Sequence, residues 1–189
     1  MSQIMELSRE QAYAELTKYI SNKNLLKHML ATEVVMGELA EHFGEDSQVW
    51  GLAGLLHDID YDETKDLAEL HSKRGAEILK ELGYPEEIVY AVLVHNDCHN
   101  LPRKSLMDKA LYATDPLTGL IVAGALIKPE KKLAAIDVDF LLKRFHEKTF
   151  AKGARREQIA ACEELGLSLE EFVAIGLRAM QKIPKELGL

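Results

Sequence analysis

Apolar residues recur at intervals of three and four along almost the whole of this 189-residue chain, and no stretch sustains the two-residue alternation of a half-buried strand. The pattern predicts an all-α fold, with helices over residues 9–20, 22–43, 47–58, 69–82, 85–96, 104–125, 138–147, 154–165 and 169–182. The punctuation agrees. Gly44 follows the second helix, Gly83-Tyr84-Pro85 separates the fourth from the fifth, and Ser168 with Glu171 forms a capping box at the head of the last. Residues 100–102 and 128–130 read as connectors too short for flexible interdomain linkers, so one domain over 1–189 is expected.

A chain that is 47% hydrophobic and 29% charged can bury a core without covalent staples. Cys98 and Cys162 are too few and too far apart in sequence for a disulfide framework, which suits a reducing cytoplasm. Residues 1–10 lack the basic stretch and apolar run of a secretory signal, and no run of about 18 apolar residues occurs. The expectation is a cytoplasmic protein with no membrane partner. The net charge of -8 repels phosphate backbones and argues against long nucleic acids as partners. A small anionic substrate stays open, because a bound dication and a few local Lys or Arg side chains reverse the field inside a pocket.

The candidate chemistry lies on the apolar faces. Gly51-Leu52-Ala53-Gly54-Leu55-Leu56-His57-Asp58 is a hydrophobic helix, rich in small residues, that closes on an imidazole beside a carboxylate. His28 falls on the same helical stripe as Val35 and Leu39, His71 on that of Ile78 and Leu82, and His95 on that of Ile88. Asp115 interrupts the apolar run Tyr112-Ala113-Thr114-Asp115-Pro116-Leu117, where an unpaired charge costs several kcal/mol unless it meets a cation. Taken singly, each histidine is more simply a hydrogen-bonded core residue. Several helices each presenting a metal-capable group inward are explained more economically by one shared cation site. Asp60, Asp62, Asp97 and His99 lie near enough in sequence to line its mouth, although each residue type commonly caps or faces solvent.

Ordered as His28, His57-Asp58 and Asp115, the pattern resembles the HD superfamily of metal-dependent phosphohydrolases, and Ala53-Gly54-Leu55-Leu56-His57-Asp58-Ile59 is similar to its central helix. The resemblance implies an HD-domain-like helical bundle with a motif core over 22–125 and additional C-terminal helices over 137–185. It implies a divalent metal held by His28, His57, Asp58 and Asp115. His71 and His95 resemble the second-metal ligands of dinuclear members, so one or two ions are expected, drawn from manganese, iron, cobalt, nickel or zinc. Asp58 is the expected shared ligand and Asp115 the group that orients water. The substrate is expected to be a small phosphorylated molecule, either a phosphate ester or a nucleotide, with Lys73, Arg74 and Lys128 as candidate phosphate contacts. A homo-oligomer is compatible with this picture. Two positions depart from the pattern: His-Asp-Ile-Gly-Lys appears as His57-Asp58-Ile59-Asp60-Tyr61, without the lysine, and Asn96 stands where a further histidine often follows. A di-iron oxygenase on the same scaffold and a non-catalytic metal-binding signalling module are the alternatives.

Overall fold

The computed structural model describes residues 8–189, and no β-strand occurs among them. The fold is all-α, as the periodicity requires. The helices are α1 (Arg9–Tyr19), α2 (Lys23–Phe43), α3 (Ser47–Leu56), α4 (Tyr61–Thr64), α5 (Lys73–Glu81), α6 (Glu86–Val94), α7 (Leu106–Leu126), α8 (Val138–His146), α9 (Arg156–Ala160), α10 (Leu169–Met180) and α11 (Pro184–Leu187). Side chains satisfy the first free amides of several of them: Asn22 caps α2, Asp46 caps α3, and capping boxes open α7 (Ser105 with Asp108) and α10 (Ser168 with Glu171).

The long helices α2 and α7 frame the core, and α3 packs most extensively on α2. At that crossing the backbones touch. A Cβ built on Gly54 would stand 2.8 Å from the Thr32 carbonyl oxygen and 2.9 Å from the Glu33 nitrogen, so only glycine fits. This approach draws the end of α3 against the middle of α2, one turn after His28. The C-terminal helices share the same core: α10 packs on α2 and α7, α8 and α9 pack on α7, and Phe172, Val173 and Met180 are fully buried there.

Two expected helices are shorter than their periodicity. The helix expected over 69–82 starts only at Lys73, because Ser72 is buried with φ +68° and its amide donates to the Asp60 carboxylate at 2.8 Å. The helix expected over 154–165 splits into α9 and a 3-10 segment, Ala161–Leu165, that Gly166 terminates in the left-handed region. Helices α4 and α11 have four residues each, too short for a periodic signal. Inside α7, Pro116 has no amide to offer the Tyr112 carbonyl, and the side-chain amide of Gln158 donates to that carbonyl instead, at 2.8 Å.

Candidate metal centre

Five segments converge. His28 comes from α2, His57 and Asp58 from the turn closing α3, His71 from the turn before α5, His95 from the end of α6 and Asp115 from the middle of α7. Within this group the potential donor atoms of three triads each lie within 4.8 Å of one another: His28 with His57 and Asp58, His57 with His95 and Asp115, and Asp58 with His71 and His95. Asp58 stands at the middle. Its Oδ2 faces His57 Nε2 at 3.4 Å and His28 Nε2 at 3.7 Å, and its Oδ1 faces His71 Nε2 at 3.3 Å and His95 Nε2 at 3.5 Å. Asp115 Oδ1 lies 3.1 Å from His28 Nε2 and 3.9 Å from His57 Nε2.

The outer partners select the tautomer of each ring. The Nδ1–H of His57 donates to the Gly54 carbonyl at 2.8 Å, and that of His95 donates to the Val92 carbonyl at 2.6 Å. His71 Nδ1 meets the Asp60 carboxylate at 3.1 Å. Thr118 donates its single hydroxyl proton to the Asp115 carbonyl at 2.9 Å, so it accepts from His28 Nδ1 at 3.0 Å. Carbonyls and a carboxylate only accept, so in a neutral ring the proton sits on Nδ1 and the Nε2 lone pair points at the cluster. Two such lone pairs, on His28 and His57, stand 3.1 Å apart. They repel unless a cation lies between them or one ring takes a second proton.

The electrostatics make the same demand. Burial pushes the His57 imidazolium pKa down, but the charges of Asp58 and Asp115 outweigh it and hold the ring at about 9. His71 is likewise buried, and Asp58 and Asp60 carry it up to about 10. Burial raises the Asp58 carboxyl, and His57, His71 and His95 together draw it well below the usual carboxylate range. Asp115 is lowered too, with His28 and His57 overcoming its burial. The cluster attracts positive charge, and four imidazoles with two carboxylates are borderline donors of the kind that suit divalent transition metals. The residues present therefore fit such an ion.

A polar cavity of about 200 Å³ opens on this group, walled by His71, His95 and Asp115 on one side and by Asp97, Arg155 and Gln158 on the other. Of the three cations expected from the sequence to meet phosphate, none lines it. Lys73 is exposed at the head of α5, Arg74 turns to Glu63, Glu77 and Glu81, and Lys128 lies over the Phe140 ring at 4.1 Å. Arg155 is the permanently charged cation on the wall, and it holds Asp97 with both carboxylate oxygens engaged, at 2.7 and 3.0 Å. The neighbouring Arg156 fixes the preceding loop by donating to the carbonyls of Phe145 at 2.8 Å and Ala151 at 3.1 Å.

Sequence reasoning brings some supporting residues only as far as the mouth of the site, and it misses others. Asp60 is 2% exposed and holds both His71 and Ser72, whereas its type and position read as a cap or a solvated group. Its place in the run His57-Asp58-Ile59-Asp60, two residues past the apolar helix, is the one signal that points to it. Thr118 carries no signal beyond lying three residues after Asp115. Asn96 ties down the turn by donating to the Ala68 and His71 carbonyls, and His99 Nε2 meets the His71 carbonyl at 2.8 Å. Asp62 accepts from Ser21 at the head of the bundle.

The family model described as HD domain matches residues 25–140, which holds all six side chains of the cluster. The chain belongs to the HD domain family. Among curated relatives of this HD domain, Ribonuclease Y of Desulfotalea psychrophila is 35% identical over 97 residues, 51% of this chain and 18% of that protein. Ribonuclease Y of Oleidesulfovibrio alaskensis is 31% identical over 98 residues, 52% of this chain and 18% of that protein. Ribonuclease Y of Lactobacillus acidophilus is 23% identical over 197 residues, 98% of this chain and 36% of that protein. The HD domain thus spans a minor part of the length of these relatives. Their name runs against the charge-based expectation that excludes long nucleic acids. No solved structure matches the chain significantly. No helix among the described residues is long and apolar enough to cross a membrane.

Proposed function

We propose that this HD domain is a metal-dependent phosphohydrolase whose cluster would hold one or two divalent ions, with Asp58 as a ligand that two ions would share. Asp58 carries the reading: each of its two oxygens faces the Nε2 atoms of a different pair of imidazoles. One ion would take His28, His57, Asp58 and Asp115, and the other His71, His95 and the second oxygen of Asp58. Divalent ions there supply Lewis acidity, polarising a phosphoryl oxygen and acidifying water.

The chain's own residues divide the remaining work. Asp115 is the carboxylate that faces the cavity, with 31% of its side chain exposed against 9% for Asp58. It orients the attacking water, accepts a proton from it as the P–O ester bond breaks, and returns that proton to the departing oxygen. Arg155 leaves Asp97 to meet the phosphoryl oxygens, as a planar guanidinium suits. It stands in for the lysine absent at Tyr61.

The substrate class is a phosphate ester, and the relatives' name brings RNA phosphodiesters into it. The overall charge of -8 governs the far field, whereas Arg155 and the divalent ions that the cluster would hold govern the cavity. Elemental analysis of the purified protein, with monoester, diester and RNA oligonucleotide substrates run in parallel, tests the proposal. One or two ions per chain and hydrolysis that His57→Ala or Asp58→Ala abolishes are expected. Full metal retention in both variants overturns it. Oxygen-dependent turnover by an iron-loaded protein would assign the same six donors to the oxygenase alternative.

A further inference from the structure

Gln158, on α9, has one half of its side chain accounted for and the other half not. The residue is only 5% exposed. Its side-chain nitrogen donates to the Tyr112 carbonyl at 2.8 Å, the acceptor that Pro116 leaves free in α7. A carbonyl only accepts, so the amide nitrogen must face Tyr112 and the orientation of the amide is fixed. The remaining polar atom, Oε1, accepts no hydrogen bond from the described residues. Nor is that oxygen sealed in, as Arg103 Nε, Thr114 Oγ1 and Arg144 Nε are. The polar cavity of about 200 Å³ beside the cluster is the opening that Gln158 lines, so Oε1 is the atom it offers there.

The other polar groups of the cavity are committed elsewhere. His71 and His95 turn Nε2 to Asp58. Asn96 gives its side-chain nitrogen to the Ala68 and His71 carbonyls, and its oxygen accepts from the Cys98 amide. Asp97 and Arg155 hold one another. Asp115 and Gln158 Oε1 are left, and both are acceptors. The phosphoryl oxygens of an ester are acceptors too, so whatever satisfies this pair must bring hydrogens. Water brings two, and it is the nucleophile already assigned to Asp115.

Resting on the phosphohydrolase reading, we propose that Gln158 Oε1 accepts a hydrogen bond from the attacking water and so orients it together with Asp115. One hydrogen of the water goes to Asp115, which takes that proton in the reaction. The other lies on Gln158 Oε1, which neither gains nor loses a proton. With both hydrogens held, the water cannot rotate away, and a lone pair stays turned to phosphorus. The anchor on Tyr112 serves the same end. That carbonyl belongs to the turn of α7 just before Asp115, so both acceptors are held by one stretch of helix.

The test uses metal-loaded protein, with para-nitrophenyl phosphate and bis(para-nitrophenyl) phosphate as chromogenic esters and inorganic phosphate as the ligand for calorimetry. Gln158→Met removes both polar ends at similar side-chain length. It should lower kcat by about tenfold or more, with KM, bound metal and phosphate affinity each within about twofold of wild type. The same variant strips the Tyr112 carbonyl of its donor, so it is repeated in Pro116→Ala, where the amide restored at 116 can serve that carbonyl. The drop in thermal midpoint caused by Gln158→Met should shrink in that background, whereas the fall in kcat relative to Pro116→Ala alone should persist. Wild-type kcat in Gln158→Met overturns the proposal. So does a fall in kcat that tracks lost metal or weakened phosphate binding, or that disappears in the Pro116→Ala background. Metal-loaded wild type that hydrolyses neither ester overturns the phosphohydrolase reading itself, a separate result.

Discussion

The Thr118 hydroxyl accepts the Nδ1–H of His28 at 3.0 Å while donating to the Asp115 carbonyl at 2.9 Å. One hydroxyl therefore fixes a tautomer on α2 from a position on α7, ninety residues away in sequence. Removing such an outer partner typically lowers metal affinity 10–100-fold. Thr118→Val keeps the shape and loses the acceptor, so it should weaken the metal by that factor, whereas Thr118→Ser should restore most of it. Competitive titration against a chelator measures this. Equal affinity in wild type and Thr118→Val would show that the hydroxyl does not orient His28.

The six side chains of the cluster were legible in the sequence because each breaks a local rule: an imidazole on an apolar stripe, or a carboxylate inside a hydrophobic helix. Position 71 is the partial exception, since His71 lies in the turn before α5 rather than on the helix expected there. The supporting residues were less legible. Asp60 was placed near the mouth of the site but not as the partner of His71, and Thr118 and Gln158 break no rule in one dimension; their partners are set by helix crossings that periodicity does not encode. That none of the three expected phosphate contacts lines the cavity has a related reason. Lys73, Arg74 and Lys128 lie near cluster residues or in charged runs along the chain, while the cation on the cavity wall, Arg155, arrives from a loop forty residues beyond Asp115.

Metal binding must displace protons. With His57 near 9 and His71 near 10, the metal-free cluster carries imidazolium at pH 7, and ligation requires neutral rings. Both values lie above the ordinary imidazole pKa of about 6.5. Their contribution to metal-free stability is therefore complete below about pH 6.5 and is lost as pH rises through about 9–10. Metal affinity runs the other way and should increase across the same window. Calorimetric titration at pH 7 in two buffers of different ionisation enthalpy should show release of at least one proton per chain. Heats that do not depend on the buffer would refute this assignment of charge.

Arg155 should act on the phosphate and not on the fold. Its side chain is half exposed and its ion pair with Asp97 contributes little to stability at such a site. Arg155→Gln should leave the thermal midpoint within a degree or two, leave metal content unchanged, and reduce kcat/KM at least tenfold; Arg155→Lys should recover part of that. Wild-type kcat/KM in Arg155→Gln would leave the cavity without an assigned phosphate contact.

Two glycines in adjacent helices should respond oppositely to the same methyl group. At Gly54 a Cβ would stand 2.8 Å from the Thr32 carbonyl oxygen, an atom of the α2 backbone that no rotamer change can move. Gly54→Ala must therefore push α3 from α2, at about 1–3 kcal/mol of overpacking strain. The same displacement separates His57, whose Nδ1 bonds to the Gly54 carbonyl, from His28, so metal affinity should fall with stability. At Gly119 a Cβ meets nothing within 4 Å, and Gly119→Ala should stabilise helix α7 by about 0.5–1 kcal/mol. Urea unfolding of the metal-free proteins gives both signs directly. A Gly54→Ala midpoint at or above that of the wild type would mean that the α2–α3 contact yields at little cost, and the tight crossing would no longer explain how His28 is brought to His57.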